Sequence, residues 1–139
     1  MAETLTLRLT VADPVAGLHY SLQDAKNTPV DIRIAGDGPL SFDVSATLRP
    51  DGKLGGPFVR REGPVRRFLY IAIAGQAGQT DPVGQVISRR AKIDVHDIPA
   101  DLLRPGAVLE VLLPGRGRDG TPACATVRPL SPWRPVTTP

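Results

Sequence analysis

The sequence contains few of the side chains that most often carry chemistry. Of its 139 residues, one is cysteine and two are histidine, and aromatic residues make up 4%. Because Cys124 stands alone, no intrachain disulfide bond can form, which favours a reducing compartment. The histidines, His19 and His96, lie far apart and have no partner at metal-ligand spacing. The sequence therefore predicts no metal site and no cofactor.

Long apolar runs are also missing. None approaches the roughly 18 residues that a membrane-spanning helix needs. The opening residues, MAETLTLRLT, alternate between polar and apolar and lack the basic and apolar regions of a signal peptide. We therefore expect a soluble protein of the cytoplasm that does not enter a membrane.

Proline and glycine, in contrast, are abundant, with 15 and 14 residues. This composition is typical of short strands joined by turns. Segments such as TLTLRLTVA, LSFDVSATLR and SRRAKIDVHDI have the period of half-buried strands. RRFLYIAIAG is the most apolar segment and is expected at the centre of a sheet. Two further strands, at 107–113 and 123–130, are predicted to pair as a hairpin across PGRGRDGTP.

The predicted fold is all-β, an antiparallel β-sandwich or flattened barrel of about eight strands with one short helix. The helix is expected to begin at Pro99, in PADLLR. Residues 1–131 are predicted to form a single β domain, followed by a proline-rich C-terminal tail at 132–139 that Trp133 anchors. Because the terminal strands of an open sandwich have free edges, they can pair across a two-fold axis, and the sequence leaves open whether a homodimer forms.

Positive charge is concentrated in the middle of the chain. The formal net charge is +3, yet residues 49–92 alone carry nine cations and three anions, a net charge of +6. Most of these cations are arginines, which favour bidentate contacts to carboxylate or phosphate over simple charge attraction. The middle of the chain is therefore the first place to look for a binding site.

Arginine pairs in this segment define the predicted site. Alternation along RRFLYIAIAG places Arg66 and Tyr70 on one face and Arg67 on the other. If this strand adjoins the strand of Arg89 and Arg90, arginines from both are expected to converge at the rim of the sheet and bind an anion. With the glutamines of the neighbouring loop AGQAGQTD, the predicted ligand-binding residues are Arg66, Arg67, Tyr70, Gln76, Gln79, Arg89, Arg90 and Lys92.

The preferred hypothesis is a non-enzymatic binding module whose partner is a small anion or an acidic protein. A simpler interpretation treats the arginines as solvated strand ends, some of them paired with Glu62 or Asp81. The loop AGQAGQTD is not a P-loop, because Gln79 stands where the lysine would be and no helix pattern follows.

Two other functions remain open. His96 and Asp94 share one face of a strand, so a small β-barrel enzyme with this acid–base pair and a substrate held by arginines is an alternative. Single-stranded nucleic acid is another, because aromatic residues and arginines interleave between Phe58 and Tyr70. Nucleic acid is the less favoured partner, since aromatic residues are few, no binding signature is present, and Phe68 and Tyr70 are expected in the core.

Several short motifs occur in a fixed order along the chain. They are Leu22-Gln23, Gly56-Pro57-Phe58-Val59, Arg67-Phe68-Leu69-Tyr70, Ala74-Gly75-Gln76, Ser88-Arg89-Arg90-Ala91-Lys92, Cys124-Ala125 and Trp133. In order and spacing they resemble the uncharacterised bacterial domain-of-unknown-function family 5990. The resemblance covers residues 15–133 and implies one intact domain and a bacterial source. It implies no mechanism, because the family has no assigned activity.

Overall fold

The computed structural model describes residues 3–26, 29–64, 66–74, 88–96, 98–116 and 125–136. This part of the chain forms eleven strands and one 3-10 turn at Ala100–Leu102. In chain order the strands are β1 (Glu3–Val11), β2 (His19–Gln23), β3 (Pro29–Ile34), β4 (Leu40–Leu48), β5 (Leu54–Gly55), β6 (Arg60–Glu62), β7 (Arg66–Ala74), β8 (Ser88–Asp94), β9 (Val108–Leu113), β10 (Ala125–Thr126) and β11 (Arg134–Pro135).

The strands form two sheets. The first has the order β11-β9-β1-β4-β5, and the second has the order β10-β8-β7-β2-β3, with β6 also paired to β7. The apolar strand β7 lies between β8 and β2, in the centre of its sheet as its composition predicts. The all-β prediction is confirmed, and the predicted short helix is the single 3-10 turn that follows Pro99.

Apolar side chains of both sheets meet in one core. Along β1, Leu5, Leu7 and Leu9 are at most 2% exposed, whereas the residues between them are half-buried. This alternation is the two-residue period of a strand with one buried face, and each fully buried leucine contributes roughly 2 kcal/mol. The second sheet supplies the facing residues, which include Tyr20, Leu22, Leu69, Ile71, Ile73, Ala91 and Ile93.

The predicted hairpin near the C-terminus is wrong. β9 belongs to the first sheet, where β1 and β11 occupy both of its edges, so neither edge is left for β10. β10 instead joins the second sheet and pairs with β8 in parallel orientation. β1 and β9 are also parallel, so the fold is not antiparallel throughout. Strands of similar pattern that are close in sequence have here been divided between two sheets.

Residues near the C-terminus extend the first sheet. Trp133 is 7% exposed and packs in the core. The next two residues form β11, which pairs with β9 through Arg134 and Glu110. A side-chain ion pair of 3.2 Å joins the same two residues. The segment that begins at Pro132 is therefore in contact with the sandwich up to the last described residue, Val136.

Candidate functional site

A short hairpin brings charged residues onto the outer face of the second sheet. β6 pairs with the start of β7, so that Arg60 lies opposite Phe68 and Glu62 lies opposite Arg66. The connection includes Gly63 with φ of 71°, a left-handed conformation that glycine adopts without steric cost. Residues directly opposite each other on two strands point to the same side, so Arg60 and Glu62 share the face of Phe68.

Two aromatic rings form the floor of this face. Phe68 and Tyr70 are each 6% exposed, yet they alternate with Leu69 and Ile71, which point into the core. Both aromatics are buried as expected, but they lie outside the main apolar cluster, on the outer side of the sheet. Their burial comes from the charged side chains that cover them.

Three cations lie over the two rings. The Lys92 ammonium is 4.0 Å from the centre of the Phe68 ring. The guanidinium carbons of Arg60 and Arg90 are 5.4 Å and 5.8 Å from the centre of the Tyr70 ring. Such contacts are favourable because the face of an aromatic ring carries partial negative charge. We call this surface the cationic face and define it by Arg60, Glu62, Phe68, Tyr70, Arg90 and Lys92.

One carboxylate, Glu62, holds the cationic face together. It accepts a hydrogen bond from the Tyr70 hydroxyl at Oε1 and one from the Lys92 ammonium at Oε2. Both bonds lower the pKa of Glu62, and the bond from Lys92 has the larger effect. Three effects raise the pKa of Tyr70 to about 12. Burial is the largest, and the hydrogen bond to Glu62 and the negative charge of Glu62 come next. At neutral pH the phenol is therefore a neutral donor and the carboxylate is charged.

The cationic face carries excess positive charge. Its three cations, Arg60, Arg90 and Lys92, face the single anion Glu62, which leaves a net charge of +2. Beside it, the Arg66 guanidinium donates a hydrogen bond of 2.7 Å to Asp94 Oδ2, and this exposed pair is neutral as a whole. The surface thus carries positive charge on a sheet face, and two of its three cations are arginines.

The structure brings together only part of the predicted site. Tyr70, Arg90 and Lys92 share the cationic face, whereas Arg66 lies at its end. Arg90 pairs with Ala72, six residues beyond Arg66 on β7, so the two arginines are separated by about 20 Å along the strand. The predicted convergence of arginines from β7 and β8 does not occur, because antiparallel pairing places the two arginine pairs at opposite ends.

The other predicted residues lie elsewhere. Arg67 is 6% exposed and lines a cavity at one end of the sandwich. Arg89 stands opposite Ile73 in the register of β8. Gln76 and Gln79 lie outside the described residues. Sequence reasoning missed Arg60, Glu62 and Phe68 as parts of the face. VRREGPVRRF nevertheless carries a signal, because two short basic segments flank a Gly-Pro turn, which is typical of a hairpin.

The proposed acid–base pair has a different geometry. The backbone N–H of His96 donates a hydrogen bond of 2.7 Å to Asp94 Oδ1, and Arg66 occupies Oδ2. The carboxylate of Asp94 is thus bound to the main chain of His96 and to an arginine. His96 is among the residues that line the end cavity, together with Arg67. Within the described residues, no group of three or more potential metal ligands occurs.

Fold and site together define a two-sheet, all-β protein with a basic outer face. The chain belongs to the Family of unknown function (DUF5990), whose model matches residues 5–136. This confirms the family suggested by the sequence motifs. No curated protein and no solved structure matches the chain. Within the described residues, no helix is long and apolar enough to cross a membrane.

Proposed function

We propose that the protein is a non-enzymatic binding module whose cationic face binds an acidic segment of a partner protein. The observation that carries the proposal is the arrangement of Arg60, Arg90 and Lys92 over two aromatic rings, with a net charge of +2. The rings hold the cations in place, so less side-chain entropy is lost when a partner carboxylate binds. Arginine also matches the planar, two-oxygen geometry of a carboxylate.

The burial of the rings favours a protein partner over a nucleic acid. Binding of single strands relies on bases stacked against open aromatic faces. Phe68 and Tyr70 are each only 6% exposed, because the cations already lie over them. A base would have to displace these contacts before it could stack. An acidic peptide would leave the rings covered, since its carboxylates are attracted by the charge of the cations that cover them.

The charge of the face also suggests how the partner is selected. Exposed charges steer association and are screened by salt over about 8 Å at physiological ionic strength. We therefore expect binding that weakens strongly as salt is added.

The reducing cytoplasm of a bacterium is the compartment we propose, because the chain has a single cysteine.

The test measures binding of a fluorescent, glutamate-rich decapeptide by anisotropy at low and physiological salt. Arg60→Gln with Arg90→Gln removes two charges from the face and is expected to weaken binding about tenfold, or roughly 0.7 kcal/mol per charge. Arg8→Gln with Arg104→Gln removes the same charge elsewhere. Arg8 pairs with Asp43 on the first sheet, and Arg104 is exposed beyond the 3-10 turn.

The proposal is supported if the wild type binds the peptide and only Arg60→Gln with Arg90→Gln weakens this binding. Equal weakening in both double variants would show that net charge, and not the cationic face, attracts the peptide, and this would overturn it. A lack of binding even at low salt would overturn it as well. A single-stranded oligonucleotide measured alongside must bind less tightly than the peptide.

A further inference from the structure

A cavity of about 170 Å³ lies at one end of the sandwich, away from the cationic face. It opens between the loop that joins β4 to β5 and the residues that follow β8. The 3-10 turn borders it through Ala100. Drug-sized pockets span roughly 300–1,000 Å³, so this cavity suits a smaller molecule. The described residues that line it are Gly52, Lys53, Leu54, Arg67, Val95, His96, Ile98, Ala100 and Leu103.

A buried arginine forms part of the cavity wall. Arg67 lies on the inward-facing side of β7, and it is 6% exposed. Its Nη1 donates a hydrogen bond of 3.2 Å to the carbonyl oxygen of Arg66. Its own carbonyl accepts a bond of 3.0 Å from the N–H of Val95, which fixes the backbone. A guanidinium in such surroundings interacts strongly with an anion, because little water screens the pair.

The charges around the cavity have one dominant sign. Lys53 and Arg67 line it, and among the residues of the lining that the structure describes none is acidic. Among the described residues, a nearby carboxylate is that of Asp51, which is exposed and 3.7 Å from Arg49. A hydrogen bond from the N–H of Lys53 lowers the pKa of Asp51, and the charges of Arg49, Lys53 and Arg67 lower it further. These three cations therefore act on the same region.

The rest of the wall is apolar. Leu54, Val95 and Ile98 are each at most 5% exposed, and Leu103 is half-buried beside them. A fully hydrated inorganic anion would gain nothing from contact with these apolar side chains. A ligand with one anionic group and a short hydrocarbon part matches both halves of the lining. A groove of about 560 Å³ adjoins the cavity through Gly52, Ala100 and Leu103, and gives room for a longer chain.

We propose that this end cavity binds a short-chain organic carboxylate, with the carboxylate against Arg67 and the hydrocarbon part among Leu54, Val95 and Ile98. The site is separate from the cationic face, because Arg67 and Tyr70 point to opposite sides of β7. A protein that lacks one of the two sites can therefore keep the other.

The experiment is a titration of the full chain with hexanoate, followed by amide NMR, which reports weak binding and the folded state together. Hexanoate is expected to shift the amide signals of Leu54, Val95 and Ile98 in a saturable manner. Hexanamide, which has the same chain without the charge, is expected to bind at least about tenfold more weakly, as is inorganic phosphate. Equal affinity for hexanamide or for phosphate would overturn the proposal, as would the absence of saturable shifts with hexanoate.

Two variants test the site independently. Arg67→Lys keeps the charge but loses the planar pair of donors, and is expected to weaken hexanoate binding about tenfold. Ala100→Leu leaves Arg67 untouched and fills space that the ligand needs, so that it should abolish saturable binding even if Arg67→Lys fails to fold. The control Arg104→Lys, and the double variant Arg60→Gln with Arg90→Gln, should bind hexanoate as the wild type does. Undiminished binding in Ala100→Leu would overturn the proposed location.

Discussion

At the scale of single residues, Tyr70 shows how opposing effects decide a protonation state. The positive charges of Arg60 and Arg90 favour the phenolate and lower the pKa of Tyr70. Burial and the negative charge of Glu62 act in the opposite direction and are larger, so the pKa rises to about 12. After burial, Glu62 outweighs the two arginines because it contacts the hydroxyl directly, whereas the guanidiniums lie over the ring.

Replacing Glu62 by Gln should lower the pKa of Tyr70 from about 12 towards its ordinary value of 10. The glutamine can still accept a hydrogen bond, but the negative charge is gone. Titration of phenolate absorbance measures the change, and Tyr70→Phe assigns the step, because Tyr20 also has a raised pKa. A titration step of Tyr70 that stays in place after Glu62→Gln would contradict the role given to this carboxylate.

The same shift sets a window for stability. The pKa of Tyr70 in the folded state, about 12, exceeds the ordinary value of 10 that applies to the unfolded chain. Between these values the folded state keeps a proton that the unfolded state has released. The stabilisation is therefore complete below about pH 10 and is lost as the pH rises towards 12.

At the scale of elements, backbones approach closely where the chain leaves β9. A Cβ on Gly115 would lie 1.9 Å from the carbonyl oxygen of Asp13, which belongs to the connection between β1 and β2. An ion pair of 3.2 Å between Arg116 and Asp13 joins the same two segments. Glycine is required here because only a residue without a side chain allows this approach.

Gly115→Ala should therefore lower the free energy of unfolding by about 2–3 kcal/mol, since the clash is with backbone and not with a flexible side chain. Gly36→Ala is the matched control, because a Cβ there meets nothing within 4 Å and its φ is not positive. Its effect should stay within about 1 kcal/mol. Urea denaturation of both variants provides the comparison, and similar midpoints for the two would count against the close approach.

The elements also show what sequence patterns can and cannot predict. Alternation predicted the faces of β1 and β8 correctly, because each strand is long enough to show its period. β5 and β11 have two residues each, too few for any period, and are strands only through their pairing with β4 and β9. Of the site, alternation predicted that Arg66 and Arg67 point to opposite sides. It could not predict the orientation of β8 against β7, which separates the two arginine pairs.

An edge strand bears on whether a homodimer forms. β3 ends the second sheet, and Ile32 and Ile34 are 62% and 63% exposed there. A register shift interrupts the pairing of β2 with β3, where Asp31 adopts a φ of 50°. A bulge and an exposed pair between Asp31 and Arg33 are features that discourage the edge from pairing with another chain. Dimerisation through a terminal strand stays a prediction.

At the scale of the whole molecule, the core joins residues from β1 to Trp133 in one cluster. Trp133 is the only tryptophan of the chain, so its fluorescence reports directly on the segment near the C-terminus. Because this side chain is buried with the residues of both sheets, its exposure should require the sheets to separate. A single cooperative unit is therefore expected, as for most domains of this size.

The loss of Trp133 fluorescence and the loss of strand signal in circular dichroism should follow the same denaturant curve. Trp133→Phe, which keeps an aromatic ring, should shift that curve to lower denaturant, because burial of the larger ring contributes to the core. An earlier transition seen by fluorescence alone would instead mean that residues 132–139 detach as a separate tail while the β domain stays folded.

The parallel pairing of β1 with β9 has a consequence for biosynthesis. Thr10 and Glu110 are hydrogen-bonded although they are 100 residues apart in the chain. While the nascent chain emerges from the ribosome, β1 can pair with β4 early, but its other edge must wait for β9. Until then β1, whose inward side chains are apolar, has one unpaired edge to which a chaperone or a neighbouring nascent chain can bind. Contacts this distant also slow refolding, towards milliseconds to seconds for sheet proteins.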